Sequence, residues 1–318
     1  MRPGTTDSTD STDFTDFTDA THFTHSTHFT EKGQPMFRTD LLARKRFLIT
    51  GGGSGLGAAM AERLAGLGAS LVLCGRRQDV LDATAARLRQ LDNRGADATV
   101  DVYRCDVRDA TQVEAMLDQV WSTGVLDGLV NNAAATFIAQ TERLSPRAVD
   151  AVLGTTLHGA LYCTLGVGRR WIDARRPGVV LSILSTSVRT GRAFTVPSAI
   201  AKSGLQAMTR SLAVEWGPRG IRLVAIAPGS FPTPGASAQL MPAQRSASSD
   251  PAARVPLGRV GHPTELANLA AYLLSDEAGF VTGETVAIDG AAHLRSSGAD
   301  DLLAWSDDDW RAHRAGRP

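Results

Sequence analysis

A serine and a lysine stand four residues apart at Ser198 and Lys202, a spacing that places two side chains on one face of a helix. A lysine cation lowers the pKa of an acid beside it. A serine hydroxyl remains a far weaker acid than a phenol, so this pair is poorly suited to protonating an alkoxide directly. The three tyrosines, Tyr103, Tyr162 and Tyr272, fall in a predicted strand and two predicted helices, and we expect them to be structural.

A glycine-rich turn follows the first apolar strand. Residues 50–57 read Thr-Gly-Gly-Gly-Ser-Gly-Leu-Gly, and a helix is predicted to begin near Ala58. Glycines let the backbone turn tightly and approach a pyrophosphate, which then sits at the positive end of the helix. This context predicts a dinucleotide site. The residues assigned to it are Gly51, Gly53, Ser54, Gly55, Leu56 and Gly57.

The end of the second predicted strand reads Cys74-Gly75-Arg76-Arg77. A protein that binds the non-phosphorylated cofactor places an Asp or Glu here, against the ribose hydroxyls. Arg76 can instead bind a 2′-phosphate through its guanidinium group. The alternative interpretation is an exposed arginine at a helix start. NADP(H) is therefore the favoured cofactor.

The composition is typical of a soluble α/β protein. The chain has 318 residues, 43% of them hydrophobic, and basic and acidic residues number 33 each. The zero formal charge gives no reason to expect nucleic acid or an anionic membrane as a partner. The sequence shows no membrane-spanning apolar run and no signal-peptide pattern, so we expect a cytoplasmic protein. Cys74, Cys105 and Cys163 do not have zinc-site spacing, so we expect buried thiols and no metal.

The first 35 residues differ in character from the rest. Residues 7–30 form a triplet repeat without an aliphatic face, so residues 1–35 are predicted to be a disordered low-complexity tail. Its His22, His25 and His28 could bind a metal, but a polar tract without ligand function is the favoured interpretation. Translation could also begin at Met36. Residues 36–318 are predicted to form one domain, with a C-terminal extension from about residue 292.

Short apolar runs alternate with helical patterns from Phe47 onward. Runs such as residues 71–73, Leu-Val-Leu, are continuously apolar, as expected for strands that helices cover on both faces. Seven such runs predict a single Rossmann-like α/β domain with a doubly wound, seven-stranded parallel sheet. The predicted strands are residues 46–50, 70–74, 99–105, 128–131, 178–183, 221–227 and 284–288.

Further motifs follow the glycine-rich turn in a specific order. Residues 105–107 (Cys-Asp-Val) come after the third strand, residues 131–134 (Asn-Asn-Ala-Ala) after the fourth, and Pro228-Gly229-Ser230 with Thr233 after the sixth. Over about residues 36–318 this set resembles the short-chain dehydrogenase/reductase family. The resemblance implies adenine contacts after the third strand and carboxamide contacts after the sixth. The cofactor residues that it implies are Asp106, Val107, Asn132, Ala133, Lys202, Pro228, Gly229, Ser230 and Thr233.

Within that family the sequence looks most like the 2,4-dienoyl-CoA reductases, which reduce conjugated acyl-CoA thioesters with NADPH. Residues 131–137, 141–146 (Thr-Glu-Arg-Leu-Ser-Pro), 196–202 and the tail at 300–310 carry this similarity. The resemblance implies that Lys202 orders the nicotinamide ribose and that Ser198 supports it. It also implies a homotetramer, with helices at 205–216 and 266–274 as contact surfaces. The residues that it places near the acyl-CoA are Arg108, Phe137 and Ser145.

The chain departs from that subfamily where the thioester oxygen should bind. Mitochondrial-type members use a tyrosine and an asparagine there, and ungapped spacing puts the weaker donors Ser187 and Thr136 at those positions. A helical asparagine of the wider family, which helps water reach the lysine, corresponds by spacing to His158. That histidine could relay protons or could simply pack within its helix. Gln239 replaces an arginine that holds CoA.

Reduction of a conjugated thioester tolerates the missing phenol. Hydride addition yields a dienolate whose oxygen needs hydrogen-bond donors, while the proton goes to carbon. We therefore expect an NADPH-dependent reductase of a 2,4-dienoyl-CoA or enoyl-CoA type substrate. Ser185, Ser187 or Thr136 would donate to the oxygen, and Lys202 with His158 would organise water.

Two other functions stay open for the same residues. The first is a carbonyl reductase or alcohol dehydrogenase of secondary metabolism, with His158 or a serine as the surrogate acid. The second is a catalytically silent NADP-binding protein, which the loss of the tyrosine and asparagine would also fit.

Overall fold

The computed structural model describes residues 37–91, 95, 97–235, 240, 250–295 and 300–315. The predicted N-terminal tail with its histidines, Met36 and Gln239 lie outside the described residues.

Seven strands form one parallel sheet, as the sequence predicts. The strands are β1 Arg46–Thr50, β2 Ser70–Gly75, β3 Val100–Arg104, β4 Gly128–Asn131, β5 Gly178–Ile183, β6 Ile221–Pro228 and β7 Thr285–Ile288. Their order is β3-β2-β1-β4-β5-β6-β7, and every neighbouring pair is parallel. Strands β1 to β3 follow one another towards one edge of the sheet, and β4 to β7 follow one another from β1 towards the other edge. The order of the strands therefore changes direction between β1 and β4. In an open α/β sheet the ligand crevice lies at this switch point, outside the carboxyl ends of the strands.

Helices connect the strands and cover both faces of the sheet. The helices are α1 Gly55–Ala65, α2 Gln78–Arg89, α3 Ala110–Thr123, α4 Pro146–Leu153, α5 Gly159–Asp173, α6 Ser187–Thr190, α7 Val196–Trp216, α8 Pro263–Leu274 and α9 Asp307–Ala315. A π-helical turn, Gly154–His158, joins α4 to α5. Single 3₁₀ turns occur at Thr141–Arg143, Gly217–Arg219, Pro251–Arg254, Asp276–Ala278, Ala292–Leu294 and Asp300–Ala304.

The core consists of two main apolar layers, one on each face of the sheet. Phe47 and Ile49 of β1 enter the layer formed with α1, α2 and α8. Leu48 enters the opposite layer, formed with α3, α5 and α7, because successive strand residues point to opposite faces. Both faces of β1 are therefore buried, which explains its unbroken apolar sequence.

The cysteines are buried free thiols, as predicted for Cys74, Cys105 and Cys163. Burial raises the pKa of all three, that of Cys105 to about 11. These thiols therefore stay protonated near neutral pH.

After β7 the chain continues into the C-terminal extension, where Trp305 and Trp310 pack edge to face at 4.8 Å. Within the part of the chain that the structure describes, no helix has the length and apolar character needed to cross a membrane.

Candidate active site

The turn between β1 and α1 brings its backbone segments so close together that glycine is required. Gly51 and Gly55 have positive φ angles of 65° and 56°, which residues with a side chain rarely adopt. A Cβ atom on Gly57 would lie 2.4 Å from the carbonyl oxygen of Gly51. Ser54 is the N-cap residue of α1, and its side chain makes no capping hydrogen bond. The start of α1 therefore fits the pyrophosphate of a dinucleotide.

Asn132 and Thr50 fasten this turn to the end of β4. The Asn132 amide donates to the carbonyl oxygens of Thr50 at 2.9 Å and Gly51 at 3.2 Å. The Thr50 hydroxyl accepts from the backbone amides of Asn132 and Ala133, both at 3.0 Å. Asn132 was predicted to bind the cofactor, and the structure places its side chain underneath the glycine turn. Its hydrogen bonds stabilise the conformation of the glycine turn.

Asp106 and two arginines mark the far end of the crevice, beyond β2 and β3. The Arg108 guanidinium donates to both Asp106 carboxylate oxygens, from Nε at 3.0 Å and from Nη2 at 2.5 Å. Hydrogen bonding by Arg108, with smaller effects from the charges of Arg108 and Arg76, lowers the pKa of Asp106. The side chain of Arg76 is exposed just before α2. Val107, in contrast, is buried against Gly159 of α5.

Lys202 is buried at the opposite end of the crevice, on α7. Its side chain is 6% exposed, and its Nζ donates to the carbonyl oxygen of Ile183 at 2.5 Å. Desolvation lowers the pKa of Lys202 to about 8. The half-buried Ser198 lies one turn earlier on the same helix, as the spacing predicts. Because Ile183 is the last residue of β5, the hydrogen bond to its carbonyl oxygen places the ammonium group at the carboxyl end of that strand.

Three residues with hydroxyl groups follow the carboxyl ends of β4 and β5. Ser185 follows β5, and its Oγ accepts from the backbone amide of Ser187, the first residue of α6, at 3.3 Å. Thr136 lies on the loop after β4, the strand adjacent to β5. All three residues are half-buried. A hydroxyl that accepts one hydrogen bond can still donate another, so each can serve as a donor to a substrate oxygen.

The π-helical turn presents Thr156 to the fold and His158 to the solvent. Thr156 is fully buried; its hydroxyl accepts from the backbone amide of Ala135 at 3.0 Å and donates to the carbonyl of Ala135 at 3.3 Å. Residues two apart on a helix point in different directions. His158 is accordingly exposed, with its ring 6.2 Å from that of Tyr162. The proton relay through His158 stays a prediction, and Thr156 is the side chain of this turn that bonds to the loop after β4.

Replacing Thr156 with valine is expected to lower the free energy of unfolding by about 1–3 kcal/mol, because the half-buried backbone of Ala135 would lose both of its bonds to the buried Thr156 hydroxyl. Urea denaturation followed by circular dichroism measures the change. Thr155→Val is the matched control, since the Thr155 hydroxyl donates only within its own helix, to the carbonyl of Ala151 at 2.9 Å. That control should cost less than about 0.5 kcal/mol. Equal decreases in the free energy of unfolding of the two variants would show that the bonds to Ala135 do not stabilise the fold.

The other predicted substrate residues flank the crevice in different ways. Phe137 is half-buried on the loop after β4. Two residues on, the backbone amide of Ala139 donates to the carbonyl of Phe194 at 3.0 Å, which joins this loop to the one before α7. Ser145 is the N-cap residue of α4, and its hydroxyl accepts from the backbone amide of Ala148 at 3.2 Å. Ser145 therefore has a structural role as a helix cap, and Arg108 forms an ion pair with Asp106.

The loop after β6 packs against the end of β7 and approaches the glycine turn. Gly229 packs so tightly against Asp289 that a Cβ atom would lie 2.4 Å from the Asp289 Cβ. Further along the loop, the Thr233 hydroxyl oxygen would lie 3.6 Å from a Cβ atom built on Gly55. The predicted carboxamide segment, Pro228 to Thr233, therefore extends from the end of β6 to the glycine turn.

Comparison with known proteins agrees with this geometry. Residues 51–293 match the family model described as enoyl-(acyl carrier protein) reductase. A Bacillus subtilis (strain 168) protein named as a probable 2,4-dienoyl-CoA reductase is 38% identical over 255 residues, which cover 80% of this chain and 98% of that protein. The crystal structure of a short chain dehydrogenase from Bacillus anthracis str. 'Ames Ancestor' is 36% identical, with a TM-score of 0.71 over 80% of this chain and 98% of that one. The chain belongs to the short-chain dehydrogenase/reductase family.

A further member of the family has been crystallised with a cofactor. The gluconate 5-dehydrogenase from Burkholderia cenocepacia J2315, in complex with NADP and tartrate, is 29% identical, with a TM-score of 0.73 over 81% of this chain and 99% of that one. Membership of the short-chain dehydrogenase/reductase family makes this protein an oxidoreductase with a nicotinamide cofactor site. The cradle at Gly51, Gly55 and Gly57 fits that group, because side chains there would fill the space that the turn leaves.

Proposed function

We propose that this protein is an NADPH-dependent reductase of a conjugated acyl thioester of the 2,4-dienoyl-CoA or enoyl-CoA type. The observation that carries the proposal is the combination of Lys202, whose Nζ bonds to the last carbonyl of β5, with hydroxyl residues that follow β4 and β5. The neighbour of Lys202 one turn earlier is Ser198, and the hydroxyls on the adjoining loops belong to Ser185, Ser187 and Thr136. The chain's three tyrosines lie in β3, α5 and α8 instead. The Bacillus subtilis relative, by its name, supports the same substrate class.

Different groups act on the two reacting parts of the substrate, the distal alkene carbon and the thioester oxygen. When bound, the reduced nicotinamide supplies a hydride to the distal alkene carbon. Donors from Ser185, Ser187 or Thr136 stabilise negative charge on the thioester oxygen, which lowers the barrier without an acid matched to an alkoxide. Lys202 holds its cation beside the end of β5, where it orders the ribose and polarises water for protonation of carbon.

A substrate panel tests this proposal directly. Purified protein is mixed with NADPH and a 2,4-dienoyl-CoA, a 2-enoyl-CoA or a series of ketones, and cofactor oxidation is followed by absorbance. We expect turnover on the conjugated thioesters. Turnover on ketones alone would favour a carbonyl reductase, and NADPH binding without turnover on any substrate would favour a silent binding protein. Rates no higher than those of a Lys202→Ala variant would exclude catalysis at this site.

Arg76 supports the choice of NADPH over NADH. It occupies the position after β2 where a carboxylate would otherwise contact ribose hydroxyls, and it is exposed and close enough to Asp106 to affect its charge state. Arg76→Ala is expected to raise the KM for NADPH roughly ten- to hundredfold, because a hydrogen bond to a charged group contributes about 1.5–3 kcal/mol. The KM for NADH should change little.

Arg77→Ala is the matched control, since Arg77 is the equally exposed N-cap residue of α2. Steady-state kinetics with each cofactor measure the four KM values. A parallel rise for NADH in Arg76→Ala would mean that Arg76 does not recognise the 2′-phosphate.

We also propose that the protein assembles as a homotetramer. Val214 on α7 is 81% exposed and Tyr272 on α8 is 37% exposed, so both helices named as contact surfaces carry apolar side chains at the surface. Sedimentation equilibrium would contradict this assembly if it gave the mass of a monomer.

A further inference from the structure

Three side chains connect the short helix α6 to the turn after β7. Arg189, on α6, lies with its Nη1 3.1 Å from His293 Nε2, and its Nη2 donates to the carbonyl of Thr285 at 3.0 Å. His293 Nδ1 lies 2.7 Å from Asp289 Oδ2. The side chains of His293 and Asp289 are only 10% and 4% exposed. The chain therefore maintains a polar connection between segments about a hundred residues apart, nearly buried at His293 and Asp289 and exposed at Arg189.

The partners of His293 specify a single tautomer of its ring. A guanidinium group can only donate, so Nε2 must accept from Arg189 and carry no hydrogen. The Nδ1 hydrogen then points at the Asp289 carboxylate. That carboxylate is itself held by the backbone amides of His293 at 2.8 Å and Ala291 at 3.1 Å. Asp289 is thus a fixed anchor that orients the histidine, and the histidine orients the arginine.

The other end of this connection is the element that carries the proposed oxygen donors. Helix α6 contains only the four residues Ser187–Thr190, and a single helical turn is unstable without outside contacts. It begins at Ser187, whose amide bonds to the Ser185 hydroxyl. The Arg189 amide closes the turn on the carbonyl of Thr186 at 3.0 Å. A displacement of Arg189 would therefore move the backbone that places both serines.

We propose that Arg189, His293 and Asp289 form a tether that positions α6, and with it the hydroxyls of Ser185 and Ser187, for substrate binding. This proposal rests on the proposed function in assigning those serines to the substrate oxygen. The three residues are positioning residues, because they act through α6 and lie outside the proposed set of substrate donors. Because His293 lies at the start of the C-terminal extension, this extension helps to position the proposed oxygen donors.

His293→Phe and His293→Gln separate this role from simple packing. Phenylalanine keeps an aromatic ring but removes both polar bonds, whereas the glutamine amide can accept from Arg189 and donate to Asp289. Backbone hydrogen exchange of the peptide covering residues 185–192 should accelerate in the full-length His293→Phe variant and return towards the wild-type rate in His293→Gln. For turnover of the thioester substrate, we expect kcat to fall roughly ten- to hundredfold in His293→Phe with an unchanged KM for NADPH. His293→Gln should recover most of that kcat.

The two measurements distinguish the tether from the function on which it rests. Wild-type exchange at residues 185–192 in His293→Phe would overturn the tether, and faster exchange with unchanged kcat would overturn its role in positioning the serines. Absence of turnover in the wild type would contradict the proposed function, while the exchange rates would still decide whether the tether exists. Should His293→Phe fail to fold, Arg189→Met removes the exposed arm of the tether and is subject to the same outcomes.

Discussion

Lys202→Met is expected to reduce turnover by at least about a hundredfold while making the folded protein without cofactor more stable at pH 7. The loss of activity follows from removal of the cation that orders the ribose and polarises water, and such groups contribute on the order of 10²–10⁴ in rate. The gain in stability follows from the position of Lys202. Lys202 is only 6% exposed as a residue, and the desolvation of its ammonium group lowers its pKa to about 8.

The pH dependence of this stability has a definite sign. Below about pH 8 the folded and unfolded chains both hold the proton on Lys202, so the folded state bears the whole cost of a buried cation. Between about pH 8 and the ordinary lysine value of 10.5, the unfolded chain binds more protons, and stability rises with pH. Methionine removes the charge but also the hydrogen bond to Ile183. We therefore expect a net gain of about 1–3 kcal/mol at pH 7 that shrinks by pH 9.5.

Urea denaturation at the two pH values and steady-state kinetics measure both effects. Lys45→Met is the control, because Lys45 is half-buried, has no part in the proposed site and is paired with the exposed Asp276 at 3.0 Å. It should change neither turnover nor stability by more than about 1 kcal/mol. A destabilised Lys202→Met protein would mean that the hydrogen bond to Ile183 outweighs the desolvation of the ammonium group.

The sheet could be predicted from the sequence because its strands are buried on both faces. The four buried positions of β2 are all apolar, and a continuous apolar run between turn residues is easy to recognise. The glycine turn was also readable, since the spacing of its glycines reflects backbone contacts that are local in sequence. The observed strand ends differ from the predicted ones by at most one residue.

Thr156 shows a contact that the sequence does not signal. It lies on the π-helical turn between α4 and α5, is fully buried, and bonds through its hydroxyl to the backbone of Ala135. A π turn has no clear sequence signal, and a bond from this turn to the loop after β4 depends on the tertiary fold. The proton relay through His158 stays a prediction.

Two other residues illustrate different limits. Ser145 precedes Pro146, and a serine before a proline at a helix start is a capping pattern, so its structural role was visible in the sequence. The connection from Arg189 to His293 was not, because those residues are 104 positions apart and meet only when β5 and β7 are in place. Contacts of this kind depend on the tertiary fold.

Gly57→Ala is expected to weaken dinucleotide binding by at least about a hundredfold and to lower the free energy of unfolding by roughly 2–3 kcal/mol. The added methyl group would lie 2.4 Å from the carbonyl oxygen of Gly51 and 2.6 Å from the Asn132 amide nitrogen. The first of these is backbone and cannot rotate away, so the turn or α1 must move. Because Asn132 fastens the same turn to β4, its two hydrogen bonds would be strained as well.

We expect this substitution to affect cofactor binding more strongly than the free energy of unfolding. A shift of about 1 Å in the cradle is enough to cost on the order of a hundredfold in a precisely positioned site. Fluorescence titration with NADPH should therefore give at least a hundredfold higher Kd for Gly57→Ala. Gly75→Ala is the matched control for stability, since its methyl group would lie 3.7 Å from Leu81 Cδ2, an ordinary contact. Wild-type affinity in Gly57→Ala would show that the pyrophosphate does not depend on this turn, and the assigned cofactor site would have to be moved.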